Sequence, residues 1–208
     1  MSGSGSRIAV LLSGRGSNFA AIHEAIRSGE LAASIAVVIS NREDAPGLEL
    51  ARSWGYPAIS LSHRAFPSRE AHEAAVIAEI ERSTADLVVL AGYMRLLSDA
   101  FIERFPNRIL NIHPSLLPAF PGTDAQAQAI AHGVKIAGCT VHFVDSTLDG
   151  GPIIVQRAVI VEPSDTAESL AARILEQEHR AYVDALGIIA SGSYRIEGRR
   201  VITTVKSE

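Results

Sequence analysis

Three short segments of the sequence carry polar side chains of the types that perform acid–base chemistry. An amide and an imidazole alternate in Asn111-Ile-His113, at the end of an apolar run. Thr140 and His142 alternate in the same way, and Asp149 follows them, just before two glycines. Because residues i and i+2 share one face of a strand, the members of each pair project together. A carboxylate beside His113 would stabilise an imidazolium, which can donate to developing negative charge and deliver a proton.

Each of these segments also has a purely structural interpretation, which the residues alone leave open. His113 could be a hydrogen-bonded core histidine next to an Asn turn, and Asp149 could serve only as a turn residue. Glu178 lies at helical spacing within an apolar stripe of the last predicted helix, so its carboxylate faces inward and needs a partner. The structural alternative for Glu178 is a residue at the edge of the stripe that reaches solvent.

A glycine turn near the start of the chain has the composition of an anion-binding site. The segment Ser13-Gly-Arg-Gly-Ser-Asn18 joins a predicted strand to a predicted helix. The N–H groups of Gly16, Ser17 and Asn18 would point at a phosphate on the helix N-terminus. The alternative is a tight turn capped by Ser17 or Asn18. Since Phe19 occupies the third glycine position of the dinucleotide fingerprint, a phosphate monoester fits better than NAD.

The elements that position these residues alternate between apolar strands and amphipathic helices. Continuous apolar runs predict buried strands, at residues 8–12, 34–40, 58–61, 86–91 and 109–113. Helices are predicted between them, so the first half is a parallel, doubly wound sheet. Two later strands, 138–145 and 152–161, are close enough in sequence to pair antiparallel. Ser164 or Asp165 is predicted to cap the last long helix, and residues 194–204 are predicted to form a hairpin.

The predicted fold class is therefore α/β. We expect a Rossmann-like, mostly parallel twisted sheet with helices on both faces and antiparallel strands in the C-terminal half. One domain over residues 1–208 is expected, since no linker or repeat is visible. Its halves cover about residues 7–105 and 106–208.

Composition excludes several classes of protein. The formal charge of -4 argues against a nucleic-acid partner. Cys139 is the single cysteine of the sequence, so no disulfide framework or cysteine-rich metal site is expected. No apolar run is long enough for a membrane span. The start, residues 1–6, lacks the regions of a signal peptide and is interpreted as a floppy leader, which makes the cytoplasm the expected location.

Several motifs together resemble the glycinamide ribonucleotide formyltransferase family over nearly the whole chain. The most specific part is Asn111-Ile-His-Pro-Ser-Leu-Leu-Pro118 followed at a distance by Leu148-Asp-Gly-Gly-Pro152. The further matches read LLSGRGSNFAAI, AGYMRLLS and EQEH. The resemblance implies transfer of a formyl group from 10-formyltetrahydrofolate to the amine of glycinamide ribonucleotide, in purine biosynthesis. It implies small-molecule substrates, no metal, and a monomer or homodimer.

The resemblance also implies a role for each matching position. Its catalytic trio is Asn111, His113 and Asp149, with Thr140 and His142 in support. The substrate phosphate would be bound by Gly16, Ser17 and Asn18, and the glycinamide portion by Glu178. The folate side would be bound by Arg69, Tyr93, Met94, Arg95, Leu96, Leu97 and Asn111. The first half is then the nucleotide and phosphate half, and the second is the catalytic and folate-binding half. In relatives the peptide bond that matches Leu117–Pro118 is cis.

The sequence departs from the family after Gly122, where Thr123-Asp-Ala-Gln126 replaces a segment that bears histidine in many relatives. That leaves this loop without an assigned role.

Alternatives within the same chemistry are methionyl-tRNA or sugar-amine formyltransferase and formyltetrahydrofolate hydrolase. Those enzymes tend to be longer, and the tRNA enzyme also needs a basic surface. A non-catalytic folate- or nucleotide-binding module is the alternative outside enzymes.

Overall fold

The structure is a computed structural model that describes residues 5–204, and the chain divides into two compact units between Leu110 and Asn111. The sequence places the division near residue 105. The expected leader lies partly outside the described residues, which begin at Gly5. Within residues 5–204, no helix combines the length and the apolar character that crossing a bilayer requires.

The first unit is built from parallel strands with helices between them. Its strands are β1 (Ser6–Leu12), β2 (Ala33–Ser40), β3 (Ala58–Ser60) and β4 (Leu87–Leu90). Its helices are α1 (Ser17–Ser28), α2 (Pro46–Ser53), α3 (Arg69–Arg82) and α4 (Asp99–Arg104). The strand order is β3-β2-β1-β4, and every pairing is parallel. The apolar residues of β1 are fully buried, as expected for a strand covered on both faces.

Strand β5 (Ile109–His113) crosses the boundary, and the second unit changes the pairing pattern. It continues with α5 (Ala125–Ala131), β6 (Ile136–Phe143), β7 (Ile153–Ile160), α6 (Ala167–Ser191), β8 (Tyr194–Glu197) and β9 (Arg200–Thr203). Strands β6 and β7 pair antiparallel, as do β8 and β9. The predicted α/β class, with parallel strands first and antiparallel strands in the C-terminal half, is confirmed.

The cap of the last helix and one short helix differ from the sequence-based expectation. The N-cap of α6 is Thr166, whose hydroxyl and the Ser169 side chain form a reciprocal capping box, so the prediction of Ser164 or Asp165 is wrong. Asp165 instead accepts hydrogen bonds from both terminal nitrogens of Arg173. The short helix α4 was not predicted, because six residues are too few to show a helical period. It begins after Ser98, whose hydroxyl accepts from the Phe101 N–H.

Candidate active site

His113 lies at the end of β5 with acceptors at both of its ring nitrogens. Its Nε2 is 2.8 Å from the Phe120 carbonyl oxygen, and its Nδ1 is 3.4 Å from Asp149 Oδ2. A carbonyl oxygen only accepts, so Nε2 carries a hydrogen. An imidazolium would have an acceptor for each of its two N–H groups. The His113 side chain is 6% exposed and that of Asp149 is 11% exposed, so both lie largely out of water.

Asp149 lies in a turn, and its carboxylate also approaches His113. Its φ of 49° is in the left-handed region, and its Oδ2 accepts from the Gly122 N–H at 2.8 Å. The turn is packed tightly: a Cβ on Gly151 would lie 1.9 Å from the Phe143 carbonyl oxygen. A glycine is therefore required at position 151. The turn that it permits places the Asp149 carboxylate near His113.

His142 is the second imidazole of the site, and it is 2% exposed. Its Nδ1 is 2.8 Å from the Phe143 carbonyl oxygen, and its Nε2 is 3.3 Å from the Asn111 amide nitrogen. Burial lowers the pKa of His142, and this outweighs the opposite effects of that carbonyl and of Asp149. The ring is therefore neutral near pH 7. Its Nε2 is 3.8 Å from Asp149 Oδ1, and a neutral ring forms no ion pair there.

Thr140 holds the proline-rich loop of residues 114–122, which follows His113 and is called the proline loop. Its hydroxyl donates to the Ser115 carbonyl at 2.7 Å and accepts from the Leu117 N–H at 3.0 Å. The Gln156 side-chain amide also donates to it, at 3.0 Å. The Leu117–Pro118 bond is cis, as the family resemblance implies. Sequence reasoning missed Gln156, because nothing near it in the sequence suggests a ligand or a turn.

Glu178 lies on the buried stripe of α6, as its spacing predicts, and is 9% exposed. Its negative charge and, more strongly, burial raise the pKa of the Cys139 thiol to about 12. That thiol is protonated near pH 7 and is a poor nucleophile. Acid–base groups therefore account for the chemistry of this unit better than its cysteine does.

The glycine turn of the first unit has the conformation that an anion site needs. Gly16 is the N-cap of α1 with φ 75°, and its carbonyl accepts from the Ala20 N–H. A Cβ on Gly16 would lie 3.0 Å from the Gly47 Cα. The helix begins at Ser17, so the N–H groups of its first turn point along the helix axis toward the glycine turn, where the helix dipole favours an anion. Asn18 follows and is buried.

The segment of residues 93–97, where the resemblance implies folate contacts, is anchored at two points within the same unit. Ser13 Oγ accepts from the Met94 N–H at 2.8 Å, and Arg69 Nη2 donates to the Leu96 carbonyl at 2.8 Å. The Arg69 Nε also donates to Glu73 at 3.0 Å. These anchors leave two large apolar side chains in solvent, with Met94 76% and Leu96 70% exposed.

The other members of this segment differ in their surroundings. Burial raises the pKa of Tyr93 to about 12, so its phenol is neutral. Arg95 and Leu97 are half-buried. Sequence reasoning missed the anchors Ser13 and Glu73, since a serine and a glutamate carry no distinctive spacing here.

In the part of the chain that the structure describes, no three His, Cys, Asp or Glu side chains group closely enough to hold a metal ion.

Comparison with known proteins decides the family. The sequence pattern of the formyl transferase family matches residues 6–186. The phosphoribosylglycinamide formyltransferase of Escherichia coli strain K12 is 43% identical over 91% of this chain and 89% of its own length. The chain belongs to the phosphoribosylglycinamide formyltransferase family. The crystal structure of glycinamide ribonucleotide transformylase 1 from Symbiobacterium toebii agrees, with a TM-score of 0.95 and 53% identity over 98% of this chain and 96% of that one.

Two further comparisons set the limits of this similarity. A formyltetrahydrofolate deformylase from Pseudomonas syringae has the same fold, with a TM-score of 0.89 and 28% identity over 97% of this chain and 66% of that one. The chain also matches trifunctional purine biosynthetic proteins, of whose length it spans between 14% and 20%. The fold is thus shared by proteins named as a transformylase and as a deformylase.

Proposed function

We propose that this chain transfers the formyl group of 10-formyltetrahydrofolate to the amine of glycinamide ribonucleotide. The products are formylglycinamide ribonucleotide and tetrahydrofolate, and the step belongs to purine biosynthesis. The observation that carries the proposal is the approach of Asp149 to His113 at 3.4 Å, with the Asn111 amide 3.3 Å from His142, whose Nε2 lies 3.8 Å from the same carboxylate. A non-catalytic binding module has no use for an acid, a carboxylate and an amide donor assembled in this way.

The chemistry begins with attack of the substrate amine on the formyl carbon. The carbonyl oxygen of the formyl group becomes a tetrahedral oxyanion, which accepts from the Asn111 amide and from the His113 imidazolium. For this donation the His113 Nε2–H exchanges the Phe120 carbonyl for the substrate oxygen. One such donor is typically worth about 2.7–4 kcal/mol of the barrier.

Collapse of the intermediate breaks the bond between the formyl carbon and the folate nitrogen. That nitrogen is a weak base and takes up a proton as it leaves, while the attacking amine gives one up. Asp149 stabilises the charged His113, collects the amine proton through water and returns a proton by the same route to the leaving folate nitrogen. No covalent enzyme intermediate and no metal ion is part of this mechanism. Binding both substrates in fixed orientation contributes as well.

The remaining site residues bind the substrates in this proposal. The phosphate of glycinamide ribonucleotide is bound by the helix N-terminus at Gly16, Ser17 and Asn18, and its glycinamide portion contacts Glu178. The folate is bound by Arg69 and by residues 93–97. The exposure of Met94 and Leu96 supports this assignment, because large apolar side chains in solvent often belong to a binding surface.

A spectrophotometric assay of folate deformylation, run with and without glycinamide ribonucleotide, tests the function. We expect turnover that depends on the added amine. Turnover in water alone would instead identify a hydrolase, which the similarity to the Pseudomonas deformylase makes the second candidate. No turnover under either condition would contradict both proposals and leave a binding module.

Replacing Gly16 by alanine tests the phosphate site. The φ of 75° and the 3.0 Å approach to Gly47 mean that a Cβ shifts the turn and misaligns its N–H groups. We expect KM for glycinamide ribonucleotide to rise about 10- to 100-fold, the equivalent of one charge-assisted hydrogen bond, with a much smaller change in kcat. Steady-state kinetics with saturating folate measures both constants.

Gly14→Ala is the matched control for this variant. It adds the same methyl group to the same turn, but a Cβ on Gly14 meets no atom within 4 Å. Its KM should stay near that of the parent protein. Equal KM values for the parent and for Gly16→Ala would show that the turn does not bind the phosphate.

Assembly and location stay predictions. We propose small-molecule substrates, a monomer or homodimer, and a cytoplasmic protein with no nucleic-acid partner.

A further inference from the structure

His142 has partners of opposite kinds at its two ring nitrogens. The Phe143 carbonyl oxygen, 2.8 Å from Nδ1, only accepts hydrogen bonds. The hydrogen must therefore be on Nδ1. The partner of Nε2 is the side-chain amide of Asn111 at 3.3 Å. The role of His142 depends on whether its Nε2 or the Asn111 amide donates this hydrogen bond.

The buried environment of His142 makes Asn111 the donor. The ring is 2% exposed, and its burial favours the neutral form, which carries a single N–H. With that hydrogen on Nδ1, Nε2 has a free electron pair. Asp149 is the other group near Nε2, but its Oδ1 is 3.8 Å away, which is too far for a hydrogen bond. Nε2 is therefore the acceptor for Asn111 Nδ2.

This contact fixes the orientation of the Asn111 amide. An amide has an oxygen that accepts and an NH₂ group that donates twice, and the two ends are nearly equal in size. With one N–H bound to Nε2, the second N–H of the same nitrogen stays available to a substrate. If the amide turned over, its oxygen would face the developing oxyanion and repel it.

We infer that His142 is a positioning residue, which acts by holding the Asn111 amide with its NH₂ group toward the reacting oxygen. The inference rests on the proposed function, since it assigns His142 a part in the same formyl transfer. His142 does not touch the reacting atoms in this scheme and exchanges no proton. Its effect on the rate passes entirely through Asn111.

Two substitutions separate this role from a purely structural one. In His142→Gln, the longer side chain places an amide oxygen near the former Nε2, so Asn111 keeps an acceptor while the Phe143 carbonyl loses its donor. In His142→Asn, the shorter amide reaches the Phe143 carbonyl but leaves Asn111 without its acceptor. A role limited to holding Phe143 would make the Gln variant the more damaged of the two.

We expect His142→Asn to lower kcat by about 10- to 100-fold, the usual effect of a misplaced catalytic group, with little change in KM. His142→Gln should keep kcat within a few-fold of the parent value. In an Asn111→Ala background the two variants should have the same kcat, because the group that His142 orients is gone. The reverse order of the two single variants, or a difference that persists in the Asn111→Ala background, would overturn the inference.

Nitrogen-15 NMR of the parent protein provides a readout that needs no activity. The chemical shifts of the His142 ring should show a protonated Nδ1 and an unprotonated Nε2 near pH 7. A hydrogen on Nε2 would overturn the inference even if formyl transfer is observed. Absence of amine-dependent turnover in the parent protein would contradict the proposed function instead, and the NMR result would then still decide the hydrogen bond.

Discussion

Replacing Asp149 by asparagine is expected to lower kcat by about 10²- to 10⁴-fold, the range of a lost acid–base contribution. The carboxylate is 3.4 Å from His113 Nδ1, and asparagine removes its charge while keeping its shape. The backbone should tolerate the change, because asparagine adopts the left-handed region well and its oxygen can still accept from Gly122. KM for glycinamide ribonucleotide should change little, since the proposed phosphate site is the glycine turn at Gly16. Steady-state kinetics gives both constants.

Asp145→Asn is the matched control for Asp149→Asn. Asp145 lies in the same connection and its Oδ1 accepts from the Thr147 N–H at 2.8 Å, which an asparagine oxygen can also do. Both variants lose one negative charge near the site, but only Asp149 contacts His113. The control should retain kcat. An Asp149→Asn protein with the turnover of the parent would mean that the carboxylate serves only the turn, and the proposed mechanism would then be wrong.

Replacing Thr140 by valine is expected to lower the free energy of unfolding by about 2–4 kcal/mol. Valine has the shape of threonine but removes a hydroxyl that donates to the Ser115 carbonyl and accepts from the Leu117 N–H. Thr140 is fully buried, so these main-chain groups would lose their partner where water does not easily replace it. Urea unfolding followed by circular dichroism measures the change.

Thr140→Ser provides the comparison, because it keeps the hydroxyl and removes one methyl group. Its cost should be about 1 kcal/mol, the usual value for one buried methyl group. If valine and serine variants were equally stable, the hydrogen bonds of Thr140 would not hold the proline loop.

The strands could be predicted from the sequence because burial leaves a direct mark on composition. The prediction for β5 matches the structure at both ends, and those for β1 and β2 start within two residues of the structure. A strand covered on both faces is a continuous apolar run, so its limits are visible without any knowledge of its neighbours. The prediction for β6 is displaced by two residues at each end. The reason is that residue type does not distinguish a polar residue inside a buried strand from a polar residue that follows the strand.

Short elements and anchoring residues could not be predicted in this way. Helix α4 has too few residues to show a period, and its cap is held by a contact with Glu73 from another helix. Ser13 anchors Met94 from 81 positions away in the sequence. A hydrogen bond of this kind depends on which strands become neighbours, and no local pattern of residues contains that information.

The sequence by itself determined which chemical groups this protein has and on which strand face each pair lies. Asn111 and His113 are two residues apart, and the pleat of a strand therefore places them on the same face. The two glycines after Asp149 indicate a turn. Only the tertiary structure decided the partners. It placed Thr140 on the proline loop, Asp149 beside His113 and His142 behind Asn111. The physical reason is that a hydrogen bond depends on distance and direction between particular atoms, which chain folding sets and residue type does not.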